Sequence, residues 1–113
     1  MSYESVDPIF YAWAKRHGLT VATEYKDSEV RAVSIYSQKP RTRRGKVVID
    51  HAGIALFPIE PGKPIAVGIG NSPYRPSRFG KHRRIEASLE TLDDALEQAY
   101  QQAVEWLKED EAS

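Results

Sequence analysis

The chain contains no cysteine, one methionine and no long apolar run. Without cysteine there is no disulfide, no thiolate metal site and no cysteine nucleophile, and the absence fits a reducing compartment. No stretch approaches the roughly 20 apolar residues needed to span a bilayer. Met1-Ser2-Tyr3-Glu4-Ser5 lacks the basic and apolar regions of a secretory signal. The composition therefore predicts a cytoplasmic protein with no membrane partner.

Catalytic and cofactor motifs are missing as well. There is no Gly-x-Ser-x-Gly elbow, and Gly62-Lys63 lacks the upstream glycine and following hydroxyl residue of a P-loop. Gly68-Ile69-Gly70 is followed by Asn71-Ser72-Pro73 rather than by a helix opening, so no helix terminus is offered to a phosphate. His17, His51 and His82 have no partner at helical spacing, and His82 sits among arginines that oppose a cation. Asp50 and His51 are strand neighbours whose side chains face opposite ways, which rules out a triad between them. The expectation is a protein with no catalytic residues, no metal and no cofactor. A small nuclease built on Asp50, His51 or Glu86 ranks third among the functional readings.

What is present suffices for one core: 113 residues, 41% apolar, with two Trp, three Phe and six Tyr. We read residues 1–113 as a single domain. Pro8 opens a helix over about residues 8–17, with Asp7 as its cap and Gly18 as its left-handed stop. Ile9, Phe10, Trp13, Ala14 and His17 share one face of it. Strands follow at about 19–25, 30–36, 46–50, 54–59, 65–69 and 81–89, from β-branched and alternating runs. Gly68 marks a possible bulge site in the fifth of these. The segments 37–45 and 71–80 read as loops, and Glu60-Pro61-Gly62-Lys63-Pro64 as a turn. A final helix starts at Thr91, with Asp94 placed to answer it in a capping box. Leu92, Ala95, Leu96, Ala99, Ala103, Trp106 and Leu107 form its apolar stripe. The order α-β-β-β-β-β-β-α, without strand–helix alternation, predicts an α+β domain: a mainly antiparallel sheet packed against an N-terminal and a C-terminal helix.

The net charge of zero conceals a separation of charge. Residues 39–84 carry eleven bases against two acids, and residues 85–113 carry nine acids against Lys108. Clustered charge concentrates its opposite, so the basic segment points to a polyanion. Lys39, Arg41, Arg43, Arg44 and Lys46 crowd the first loop; Arg75, Arg78, Lys81, Arg83 and Arg84 crowd the second. Guanidinium forks match phosphate oxygens, and Tyr74 and Phe79, interleaved with the second cluster, suit base stacking. The leading expectation is a non-enzymatic binding module for DNA or RNA. The alternative is a protein interaction or inhibitor module, meeting an acidic protein surface or a second copy of itself through basic loops and acidic helix. In a simple meander of six strands, the two basic loops would lie at opposite ends of the sheet.

Overall fold

Proline in the first turn and glycine just past the last residue bracket the first element. In the computed structural model, which describes residues 3–70 and 81–112, helix α1 runs Asp7–Arg16. Its end is a Schellman turn: Gly18 adopts φ +66°, its N–H reaches Lys15 O, and the Leu19 N–H reaches Ala14 O. The start differs from expectation. Val6 is the capping residue and makes no side-chain cap, while Asp7 lies inside the first turn and turns its carboxylate to Arg31.

The strands are β1 (Ala22–Tyr25), β2 (Ser28–Tyr36), β3 (Arg41–Arg43), β4 (Lys46–Val48), β5 (His51–Leu56), β6 (Ile65–Gly70) and β7 (His82–Ala87); helix α2 is Leu92–Ala112. Five of them form one sheet in the order β1-β2-β5-β6-β7, every pair antiparallel. The remaining two, β3 and β4, pair only with each other. The protein is thus the expected α+β domain, with the N-terminal and C-terminal helices packed on one face of the sheet. Three details differ from the sequence reading, the first being that β5 covers residues 51–56 in place of the expected 54–59. Residues 41–43, read as loop, form a strand, and residues 46–48 leave the main sheet to pair with them. Gly68 is no bulge: it pairs in register with Ala55 on one side and Arg84 on the other.

Alternation assigns the two faces. Val33, Ile35, Ala52, Ile54, Leu56, Ile65, Val67, Ile69 and Ala87 point to the helices and form one cluster with Phe10, Trp13 and the α2 stripe. Trp13, Phe10, Ile54, Leu56 and Ile69 are fully buried, each contributing roughly 1.5–3 kcal/mol from burial. Trp106, expected in the core stripe, is only partly buried against its edge. The opposite face has rows of very small residues across β2, β5 and β6, Ala32–Ala55–Gly68 and Ser34–Gly53–Gly70, which end on β7 at Arg84 and His82. Thr91 begins α2 without the expected capping box: its hydroxyl oxygen accepts the Ser88 N–H at 2.9 Å.

Candidate nucleic-acid interface

The β2–β5 ladder continues one step past its ends, where the Ser37 N–H donates to Asp50 O at 2.8 Å. Beyond that step the chain leaves the sheet. Pro40 has no N–H to offer a ladder, and β3 and β4 resume as a separate two-stranded ribbon with pairs Arg41–Val48, Thr42–Val47 and Arg43–Lys46. Its tip is a two-residue turn in which Arg44 (φ +53°) and Gly45 (φ +77°) are both left-handed, the signature of a type I′ hairpin. The result is a basic arm. Residues 38–49 contain Lys39, Arg41, Arg43, Arg44 and Lys46 and no acid. Val47 and Ile49 on the same arm are 74% and 55% exposed, which no packing requirement explains.

Charge pairing separates the arm from the body. Among the described residues, Lys39, Arg44 and Lys46 are exposed and make no ion pair. Most bases of the body are engaged, although Lys15, Lys26 and Lys108 are exposed and make no ion pair among the described residues. Arg16 Nη2 donates to Asp93 at 2.8 Å and to Glu97 at 3.1 Å, and these hydrogen bonds raise its pKa. Lys63 pairs with Glu60 at 2.9 Å, holding that carboxyl below its usual range. Lys81 binds Glu109 at 2.7 Å, and Arg83 donates to the Gln102 side-chain oxygen at 2.9 Å. Arg84 lies on the opposite sheet face, over the Phe57 ring at 5.2 Å and 3.8 Å from Glu86.

The structure therefore divides the candidate residues. Lys39, Arg41, Arg43, Arg44 and Lys46 are brought together on one ribbon. Lys81 and Arg83 turn to α2, while Arg84 faces the other way. Tyr74, Arg75, Arg78 and Phe79 lie outside the described residues. The acids at the C-terminal end of α2 sit where the helix dipole prefers cations, and Lys81 supplies one to Glu109.

The ends of the sheet also differ from the six-strand meander. Because β3 and β4 leave the sheet, only β5 and β6 separate the arm from the second basic segment. Two strands return the chain to the end from which it started. Gly70 and His82 are paired beside Gly53, two residues from the arm's root at His51. Gly70 and Lys81, which flank the second basic segment, are thus at the arm's end of the sheet.

Sequence reading missed a cleft at that same end. About 250 Å³ in volume, it lies between the root of the arm and α2, lined by Ile35, Lys39, Tyr100, Val104, Leu107 and Lys108 among others. Its two walls are some sixty residues apart in the chain, so no local spacing announces it. The histidines remain dispersed: His17 binds Glu97, His51 lies near Tyr36 and His82 pairs with Gly70. Among the described residues no three His, Asp or Glu side chains group as metal ligands, and no helix is long and apolar enough to cross a membrane. Comparison of the chain with protein-family models, with curated proteins and with solved structures finds no match.

Proposed function

We propose that the protein is a cytoplasmic, non-enzymatic binding module that grips a nucleic-acid strand with its basic β-arm. The observation that carries this reading is the contrast in pairing: the body's bases are largely met by the protein's own acids or amides, whereas the described cations of the arm are not. Unpaired, exposed Arg and Lys on a narrow ribbon present phosphate ligands without first breaking internal ion pairs.

The test is an oligonucleotide titration followed by fluorescence anisotropy at low ionic strength. If all five arm bases contact phosphates of a single strand, log K falls against log salt with a slope of about −3.5. Substituting Arg41, Arg43, Arg44 and Lys46 together by Gln removes most of the binding and leaves the melting temperature in place. Failure of the unaltered protein to bind DNA or RNA at low salt sinks the proposal.

A second reading draws on the exposed Val47 and Ile49. β-Branched residues displayed on an arm suit an apolar contact with another protein, while the arm's bases suit the acidic outer side of α2 on a second copy. Light scattering at two salt concentrations separates the readings: a dimer that dissociates in salt favours self-association, and a salt-indifferent monomer excludes it.

A further inference from the structure

We infer that the strand held by the arm is single, and that one unpaired base enters the cleft between the arm's root and α2; the inference rests on the nucleic-acid reading above. The cleft combines two kinds of surface. Ile35, Val104 and Leu107 make its floor apolar, while Lys39 comes to it from the arm and Lys108 from α2. No acid is among its lining residues. Tyr100 completes one side, with its ring stacked on His17 at a centroid distance of 4.0 Å, so the wall it forms is held in place.

Size narrows the occupant. A volume of about 250 Å³ is below the roughly 300–1,000 Å³ of sites that enclose whole drug-sized molecules. It takes one planar ring system and leaves the charged remainder of the ligand outside. An apolar floor suits the face of a base, and lysines at the rim suit phosphates flanking that base. A duplex keeps its base faces stacked, so only an unpaired or extruded base presents this shape. The arm continues the path. From Lys39 to Arg44 it extends about 16 Å at ~3.3 Å per residue, so a strand that leaves the cleft along the arm meets Arg44 at its tip.

The experiment compares, at low ionic strength, an unstructured single-stranded oligonucleotide as DNA and as RNA, its duplex, and an abasic phosphodiester strand of equal length. The single strand, in one or both sugar forms, is expected to bind about tenfold more tightly than the duplex or the abasic strand, since stacking one base supplies that much. Val104→Trp fills the cleft from a half-buried helix position and is expected to abolish the preference while leaving abasic-strand affinity unchanged. Should that variant fail to fold, as judged by circular dichroism, Val104→Thr replaces it: nearly equal in size, it sets a hydroxyl on the apolar floor and reduces the preference several-fold. Equal affinity for all strands, or a preference that survives the substitution, overturns the base-in-cleft inference and leaves the arm as a general polyanion grip. No binding to any strand overturns both.

Discussion

The Arg31 guanidinium takes Asp7 side-on: Nε donates to Oδ1 at 2.7 Å and Nη2 to Oδ2 at 3.1 Å. This pair ties the first turn of α1 to the centre of β2. Arg31 is nearly buried, and it also donates to Val30 O and to Glu29 and lies 4.8 Å over the Tyr3 ring. The hydrogen bonds to Asp7 raise its pKa and outweigh the opposing effect of burial. Tyr3 in turn donates to Leu56 O at 3.5 Å, so the chain before α1 is fastened to the sheet as well.

Removing one partner of this pair leaves a desolvated charge behind. Asp7→Ala is expected to cost about 2–3 kcal/mol, less than for a wholly buried pair because the Asp7 side chain retains 28% exposure. Asp7→Ala with Arg31→Met is expected to cost less than the sum of the single substitutions. Urea unfolding of the three variants measures both quantities. A cost under about 0.5 kcal/mol for Asp7→Ala would place the pair with ordinary surface ion pairs instead.

Acid sensitivity should appear at the contact between the helices. The Glu97 carboxyl is held below its ordinary value of 4.5, first by its hydrogen bond to His17, which outweighs the opposing effect of burial, and then by its hydrogen bond from Arg16. A lowered folded-state pKa means that the folded protein binds fewer protons than the unfolded chain below pH 4.5. The stability from this contact is therefore complete above that pH and is lost as pH falls through the folded value. Glu97→Gln is expected to flatten this part of the acid limb in melting curves taken from about pH 6 to about pH 3. An unchanged acid limb contradicts the assignment.

Arg44 offers a separation of stability from binding. Its φ of +53° belongs to a type I′ turn position where Asn is better tolerated. Arg44→Asn is expected to leave the melting temperature unchanged or slightly higher. The same change removes one phosphate contact and reduces the single-strand salt slope by about 0.7. Binding that is indifferent to this substitution removes the tip of the arm from the interface.

Two glycines with positive φ should respond differently to alanine. Gly62 has φ +74° and open space around the position of a Cβ, so Gly62→Ala costs only backbone strain, about 1 kcal/mol. At Gly70, φ is +154° and the Cβ would stand 2.6 Å from the Lys81 carbonyl oxygen, a backbone atom with little freedom to retreat. Gly70→Ala is expected to cost clearly more, about 2–3 kcal/mol. Equal losses on thermal unfolding would mean that the β6–β7 ladder yields to the added methyl.

Local order is where the sequence was most informative. Pro8 and Gly18 bracket α1, and the stripe from Leu92 to Leu107 marks the buried side of α2, because one side chain every three or four residues records which face meets the core. The strands at about 30–36 and 65–69 were legible likewise, and in the structure Val33, Ile35, Val67 and Ile69 form their inward face. The five bases of the arm were legible as a cluster, since proximity in sequence guarantees proximity in space over so few residues. Asp7 shows the limit: its type and position suited a cap, but an arginine on β2 competed for the carboxylate and won.

What the tertiary structure alone decided was which strands share a sheet, and hence which ends of it meet. Lys46–Val48 has strand character in either arrangement, yet its hydrogen bonds go to Arg41–Arg43 instead of to the sheet. Each strand added to a meander reverses the end at which the next loop emerges, so that one choice of partner moved every later turn. It set Lys81 beside Glu109 and joined Lys39 to Lys108 across a cleft. Side-chain pattern reports burial, whereas strand pairing is fixed by backbone hydrogen bonds between distant segments, and those bonds are the same whatever residues supply them.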